Sequence, residues 1–124
     1  MASIRRKVNV CGEISCSVTE ALLDTGADRT LVPASMAKDL GLRFTGKRIS
    51  LKSASGHKIQ TDEAVAHIGI SRTGCVAEVP VVVPRDPNLK ELIIGNDFME
   101  KTGMVLGYTK PRIASCPSRI AKSP

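Results

Sequence analysis

The apolar positions fall in short runs separated by clusters of Gly, Pro and small polar residues, the signature of many strands and few helices. Residues 8–10 with Ile14, then residues 18–23, read as two strands of a hairpin, with Gly12 and the Ser15-Cys16-Ser17 stretch supplying a turn or bulge. A tight polar loop follows, then a short strand over 30–32. Pro33 suits a first helical turn and Gly41 the position just past a helix end; Met36, Ala37 and Leu40 between them have helical spacing. Residues 49–51 and 59–70 alternate as strands around a polar cluster whose Gly56 marks a hairpin tip. Residues 76–83 form another strand, which Pro80 assigns to an edge or a bulge. Residues 84–88 are a loop, 92–94 a buried strand ending at Gly95, 97–101 a short helix, and 104–109 a last strand. Asp97 with Glu100 approximates a capping box for that helix.

A length of 124 residues allows one domain with one modest core. The net charge of +6 is uneven: residues 8–109 hold all twelve acidic residues and eleven of the eighteen Lys/Arg. The expected organisation is a basic N-terminal arm over 1–7, a nearly neutral globular domain over 8–109 and a basic, flexible tail over 110–124. The basic ends admit a nucleic-acid reading, but solvated ends explain them as well. Two Phe, one Tyr and no Trp give little for bases to stack on. The cysteines Cys11, Cys16, Cys75 and Cys116 show no Cys-x-x-Cys, and His57 and His67 complete no zinc spacing, so no metal is expected. Reduced, scattered thiols in a cytoplasmic protein are the expectation. Charge at Arg5 interrupts the N-terminus before a signal-peptide core forms, and no apolar run reaches membrane-spanning length.

The chemistry concentrates in Leu22-Leu23-Asp24-Thr25-Gly26-Ala27-Asp28-Arg29-Thr30-Leu31-Val32. Two apolar residues run into Asp-Thr-Gly, which places a carboxylate on a tight loop between buried strands. Gly26 would allow close backbone approach and angles closed to other residues; backbone N–H groups can hold the Asp24 oxygens. The plain alternative is a turn capped by its own Asp. A second segment, Leu92-Ile93-Ile94-Gly95-Asn96-Asp97-Phe98-Met99, changes the balance. Together, apolar-apolar-Asp-Thr-Gly-Ala and Ile-Ile-Gly-x-Asp-Phe resemble the retropepsins, the single-domain aspartic proteases of retroviruses and their cellular relatives, over roughly residues 8–109.

The resemblance implies an all-β fold, a retropepsin-like closed acid-protease barrel with one or two short helices, assembled as a homodimer. The chain has a single Asp-Thr-Gly, while the chemistry needs two carboxylates, so a twofold axis must bring a second Asp24 to the first. It further implies an aspartic endopeptidase acting on peptide or protein substrates without cofactor. Asp24, Thr25 and Gly26 are its catalytic loop; Ala27, Asp28, Leu31, Ser55, Gly56 and Ile93 are its substrate contacts. Leu22 joins the pocket walls, and Ile94 is expected in the core. The hairpin over 53–58 corresponds to the family's flap, with one Gly where several are usual. Retroviral members pair the residue corresponding to Asp28 with an Arg after the second glycine, where this chain has Asn96. Arg29 or Arg85 could replace it, or Asp28 could only cap its turn. The alternative function is a non-catalytic, retropepsin-like dimerisation or peptide-binding module.

Overall fold

The computed structural model describes residues 3–52, 55–71, 73–106 and 113–115. Strand β1 (Ser3–Cys11) and strand β2 (Cys16–Asp24) form an antiparallel hairpin in register from Ser3↔Asp24 to Cys11↔Cys16. The expected basic arm is therefore, from Ser3 on, the first half of a strand, and Arg5 pairs with Glu91 at 2.6 Å. The first apolar pattern begins only at Val8 because Arg5, Arg6 and Lys7 are exposed; the buried Ile4 alone carries the inward face earlier.

Helix α1 (Ala34–Leu40) follows, buries Ala37 and Leu40, and ends on Gly41 with φ 71°, whose N–H donates to the Ala37 and Lys38 carbonyls. Strand β3 (Arg43–Lys52) is longer than the apolar pattern predicts, since its residues are exposed from Arg43 to Arg48 and a bulge interrupts it between Phe44 and Arg48. Strand β4 (Lys58–Ile70) is the hub: it pairs with β3 and β1, and with β5 (Val76–Pro84). Pro80 sits in β5, whose strand partner is β4, so its missing N–H interrupts no ladder with a second named strand.

Strand β6 (Ile93–Ile94) runs parallel to β2, with Leu22 opposite Ile93 and Leu23 opposite Ile94. Helix α2 (Asn96–Thr102) follows and buries Phe98, Met99 and Thr102. Strand β7 (Val105–Leu106) pairs with β8 (Ile113–Ser115); the remainder of the expected C-terminal tail lies outside the described residues. The core joins the inward residues of β1, β2, β4 and β5 (Val8, Val10, Leu23, Ile68, Val79, Val81) to Leu40 of α1 and Phe98 of α2. Cys11 and Cys16 face each other across the first hairpin and form a disulfide, which corrects the expectation of reduced thiols and removes its support for a cytoplasmic setting. Among the described residues, no helix is long and apolar enough to cross a membrane.

Candidate active site

Asp24 is the last residue of β2, and the chain turns immediately after it. The turn is closed by the Ala27 N–H donating to the Asp24 carbonyl at 3.1 Å, while the Gly26 N–H donates to Asp24 Oδ1 at 2.8 Å. Gly26 is not among the glycines with positive φ; its contribution is that N–H, not a left-handed backbone. Beyond the turn, Leu31 returns beside β6, exchanging N–H and carbonyl bonds with Ile93 at 2.8 and 3.0 Å, and the neighbouring Val32 N–H donates to the Val82 carbonyl. The two motif segments, far apart in sequence, are thus hydrogen-bonded to each other.

The loop is braced from below by the start of α2. Gly95 is needed here for space: a Cβ would lie 2.7 Å from both the Ala27 and Arg29 carbonyl oxygens. The Asn96 N–H donates to the Ala27 carbonyl at 2.8 Å, and the Asp97 N–H to that of Asp28 at 3.2 Å. Asn96 Nδ2 donates to the Thr25 carbonyl at 2.7 Å. Asp97 accepts from the Thr30 N–H at 2.9 Å and from Thr30 Oγ1 at 2.7 Å, and Thr30 Oγ1 in turn accepts from the Gly95 N–H at 3.1 Å. Asp97 is therefore not the N-cap of its helix, a position held by Gly95; its carboxylate holds the Asp-Thr-Gly loop instead.

Thr30, Asn96 and Asp97 are the positioning residues that the sequence reading missed. Their partners are 65 to 71 residues away along the chain, so no local pattern marks the network.

Arg29 extends the brace outward: its guanidinium donates to Glu63 at 3.1 Å and to the Pro80 carbonyl at 3.3 Å, and lies 3.6 Å from Asp97. Burial alone would raise the Glu63 pKa, but hydrogen bonds from the Thr45 hydroxyl and Arg29, with Lys47 nearby, outweigh it and hold the carboxyl below its ordinary value. Arg85 is committed to Asp62 through two bonds of 2.9 and 3.0 Å, which lowers the Asp62 pKa. Neither arginine pairs with Asp28, and among the described residues no basic side chain lies within ion-pair distance of it. Asp28 is exposed.

Leu31 and half-buried Ile93 line a cavity of about 390 Å³ with Leu89 and Lys90, whereas Ile94 is fully buried. Thr25 and Asn96 border a second cavity of about 550 Å³, walled by Met99, Met104, Val105 and Leu106. Leu22, half-buried, lies opposite Ile93. Ser55 and Gly56 occupy the exposed turn between β3 and β4, where Gly56 has φ 88°. The structure therefore brings Asp24, Thr25, Gly26, Ala27, Leu31 and Ile93 into one neighbourhood and sets Ser55 and Gly56 on a separate hairpin.

One mostly β domain with a single Asp-Thr-Gly loop, braced by an Ile-Ile-Gly strand and the helix after it, is the arrangement of the retroviral-type aspartyl protease fold. The sequence pattern described as "gag-polyprotein putative aspartyl protease" matches residues 10–101, and the chain belongs to that family. Among solved structures it is similar to EIAV protease complexed with the inhibitor HBY-793, with a TM-score of 0.63 and 20% identity over 85% of this chain and 92% of that one. No curated protein matches the chain. The retropepsin-like fold expected from the two motifs is the fold observed.

Proposed function

We propose that the protein is an aspartic endopeptidase in which two copies of Asp24, one per subunit of a homodimer, activate the attacking water. The observation that carries this reading is the Asp24 loop itself, whose carboxylate is oriented by the Gly26 N–H and whose backbone is tied down by Asn96 and Asp97. Such bracing would be superfluous for a solvated turn and is what a catalytic carboxylate requires.

Two facing carboxylates hold one proton between them. The ionised one takes a proton from water as the oxygen attacks the scissile carbonyl carbon; the protonated one donates to the carbonyl oxygen, giving a neutral tetrahedral diol. Collapse of that diol breaks the C–N bond, with a proton passing to the departing amine. Thr25 would hold the two loops together across the axis. The cavity beside Thr25, with its Met99, Met104 and Leu106 wall, supports a partner subunit at that face. Leu31 and Ile93 would form the pocket wall, Ala27 and Asp28 would contact substrate backbone, and the hairpin carrying Ser55 and Gly56 would close over the peptide.

The test is Asp24→Asn. Its dimer, prepared free of wild-type subunits, is expected to sediment with twofold mass and cleave no member of a peptide library. The wild type should cleave with a bell-shaped pH profile whose optimum is mildly acidic, and EDTA should leave the rate unchanged. Turnover by the variant, or by a wild-type monomer, would overturn the mechanism.

A further inference from the structure

Charge within the globular part is segregated onto one hairpin. Residues 40–61 carry five Lys/Arg and no Asp or Glu, while the rest of 8–109 carries six Lys/Arg against twelve acidic residues. All five bases, Arg43, Lys47, Arg48, Lys52 and Lys58, are exposed, and β3 is the terminal strand of its sheet.

The register sorts them by face. Lys52 lies directly opposite Lys58, Ser50 opposite Gln60 and Arg48 opposite Asp62, so these six share one side. By alternation that side continues the face on which β4 carries Ala64, Ala66 and Ile68 into the core. The other side of the hairpin carries Ile49, Leu51 and Ile59, half-buried. Its polarity is thus the inverse of a hairpin built only for packing: where it passes the core's edge, its core-side face becomes cationic. Like charges directly opposite each other are destabilising. At Lys58 the ladder of β4 with β5, which starts at Thr61↔Pro84, has not begun, so both strands are open edges there; edge protection accounts for a lysine on each but not for setting the two directly opposite. Asp62, the acid on this face, is held by Arg85, which adds a further guanidinium.

We propose that this face recruits an acidic segment of the polypeptide substrate flanking the scissile bond, with Lys52 and Lys58 as its principal contacts. The inference names a substrate class for the peptidase proposed above and rests on that reading. An extended acidic chain beneath the hairpin relieves the Lys52–Lys58 repulsion and meets a field that the otherwise acidic domain would oppose.

The experiment takes a core peptide cleaved from an unbiased library and flanks it with Asp/Glu or, as a control, with Asn/Gln. It is run on the wild type and K52Q/K58Q. The wild type should favour the acidic peptide by about tenfold at low salt, and the preference should shrink as added salt screens the face. K52Q/K58Q should lose that preference, so that its rates on the two peptides fall within about twofold of each other. No acidic preference in an active wild type, or equal loss on both peptides, overturns the proposal while leaving the peptidase reading intact. Anisotropy of the acidic peptide on Asp24→Asn protein reads the face without catalysis. Binding that K52Q/K58Q abolishes, alongside a wild type that cleaves no peptide, would uphold the face and defeat the peptidase. Tighter binding of an equally charged oligonucleotide, lost in the same variant, would overturn the proposal in favour of nucleic acid.

Discussion

Replacing Thr30 by Val tests whether the polar brace beneath the Asp-Thr-Gly loop is what holds it. Thr30 is fully buried, and its hydroxyl both donates to Asp97 at 2.7 Å and accepts from the Gly95 N–H at 3.1 Å. Valine keeps the shape and removes both bonds. The bond to the carboxylate is worth about 1.5–3 kcal/mol, and a buried N–H left without an acceptor costs about 1–3 kcal/mol. Asp97 still accepts from the Thr30 and Phe98 N–H groups, so the loss is partly offset and should come to about 3 kcal/mol. For a chain of this length that is a fall in Tm of about 12 °C. Thr30→Ser keeps the hydroxyl and loses one buried methyl, for about 1 kcal/mol and 4 °C. Calorimetry of the three proteins at one protomer concentration makes the comparison, since subunit association would shift every Tm with concentration. A Val variant within 4 °C of the wild type, or no worse than Ser, would show that the brace is shape and not hydrogen bonding.

Gly95→Ala should be more damaging than its single methyl suggests, because the new Cβ would meet two backbone carbonyls at 2.7 Å; a loss of at least about 2 kcal/mol and of most activity is expected by thermal melts and peptide assay. Asn96→Ala removes the bond to the Thr25 carbonyl and should lower kcat more than it lowers Tm, with a stability loss of about 1 kcal/mol; a variant with unaltered kcat would remove Asn96 from the positioning set. Glu63→Gln tests the outer brace through pH. The folded carboxyl sits below its ordinary value of 4.5, so its contribution is present above that value and lost as pH falls through the folded pKa. Urea midpoints of Glu63→Gln and wild type should therefore differ at neutral pH and converge in acid; a constant gap would assign the loss to packing.

The Asp-Thr-Gly loop, the Ile-Ile-Gly strand, the first helix with its Gly41 end and the hairpin tip at Gly56 were legible because each depends on residues adjacent in sequence. The full extent of β3 was not: from Arg43 to Arg48 it is exposed on both faces, so no apolar alternation marks it. The start of β1 was hidden similarly by Arg5, Arg6 and Lys7. Asp97 read as a helix cap because local rules fit it, and only the fold brings Thr30 to it from 67 residues away. The Cys11–Cys16 disulfide depends on the hairpin register, which places the two residues opposite each other; their spacing alone fits no familiar motif. Counting charge over the whole globular span also concealed its segregation, since the basic hairpin and the acidic remainder nearly cancel.

The site thus divides into two parts held by different physics. Beneath Asp24, bonds from the first turn of α2 and from β6 secure the loop, and among the described residues no buried side-chain polar atom lacks a partner. Displacing that floor means breaking several bonds together, which favours a fixed carboxylate geometry. The distal hairpin instead rests mainly on the β3–β4 ladder, and β3 buries none of its side chains fully. Local opening free energy follows such differences in burial, so the hairpin can open at a cost far below that of unfolding the floor. The proposed peptidase would need this combination: its carboxylates must be held before substrate arrives, while a polymer could enter only if a covering hairpin yields. The charges follow the same division, with the floor's carboxylate Asp97 engaged by bonds within the chain and Lys52 and Lys58 of the hairpin exposed.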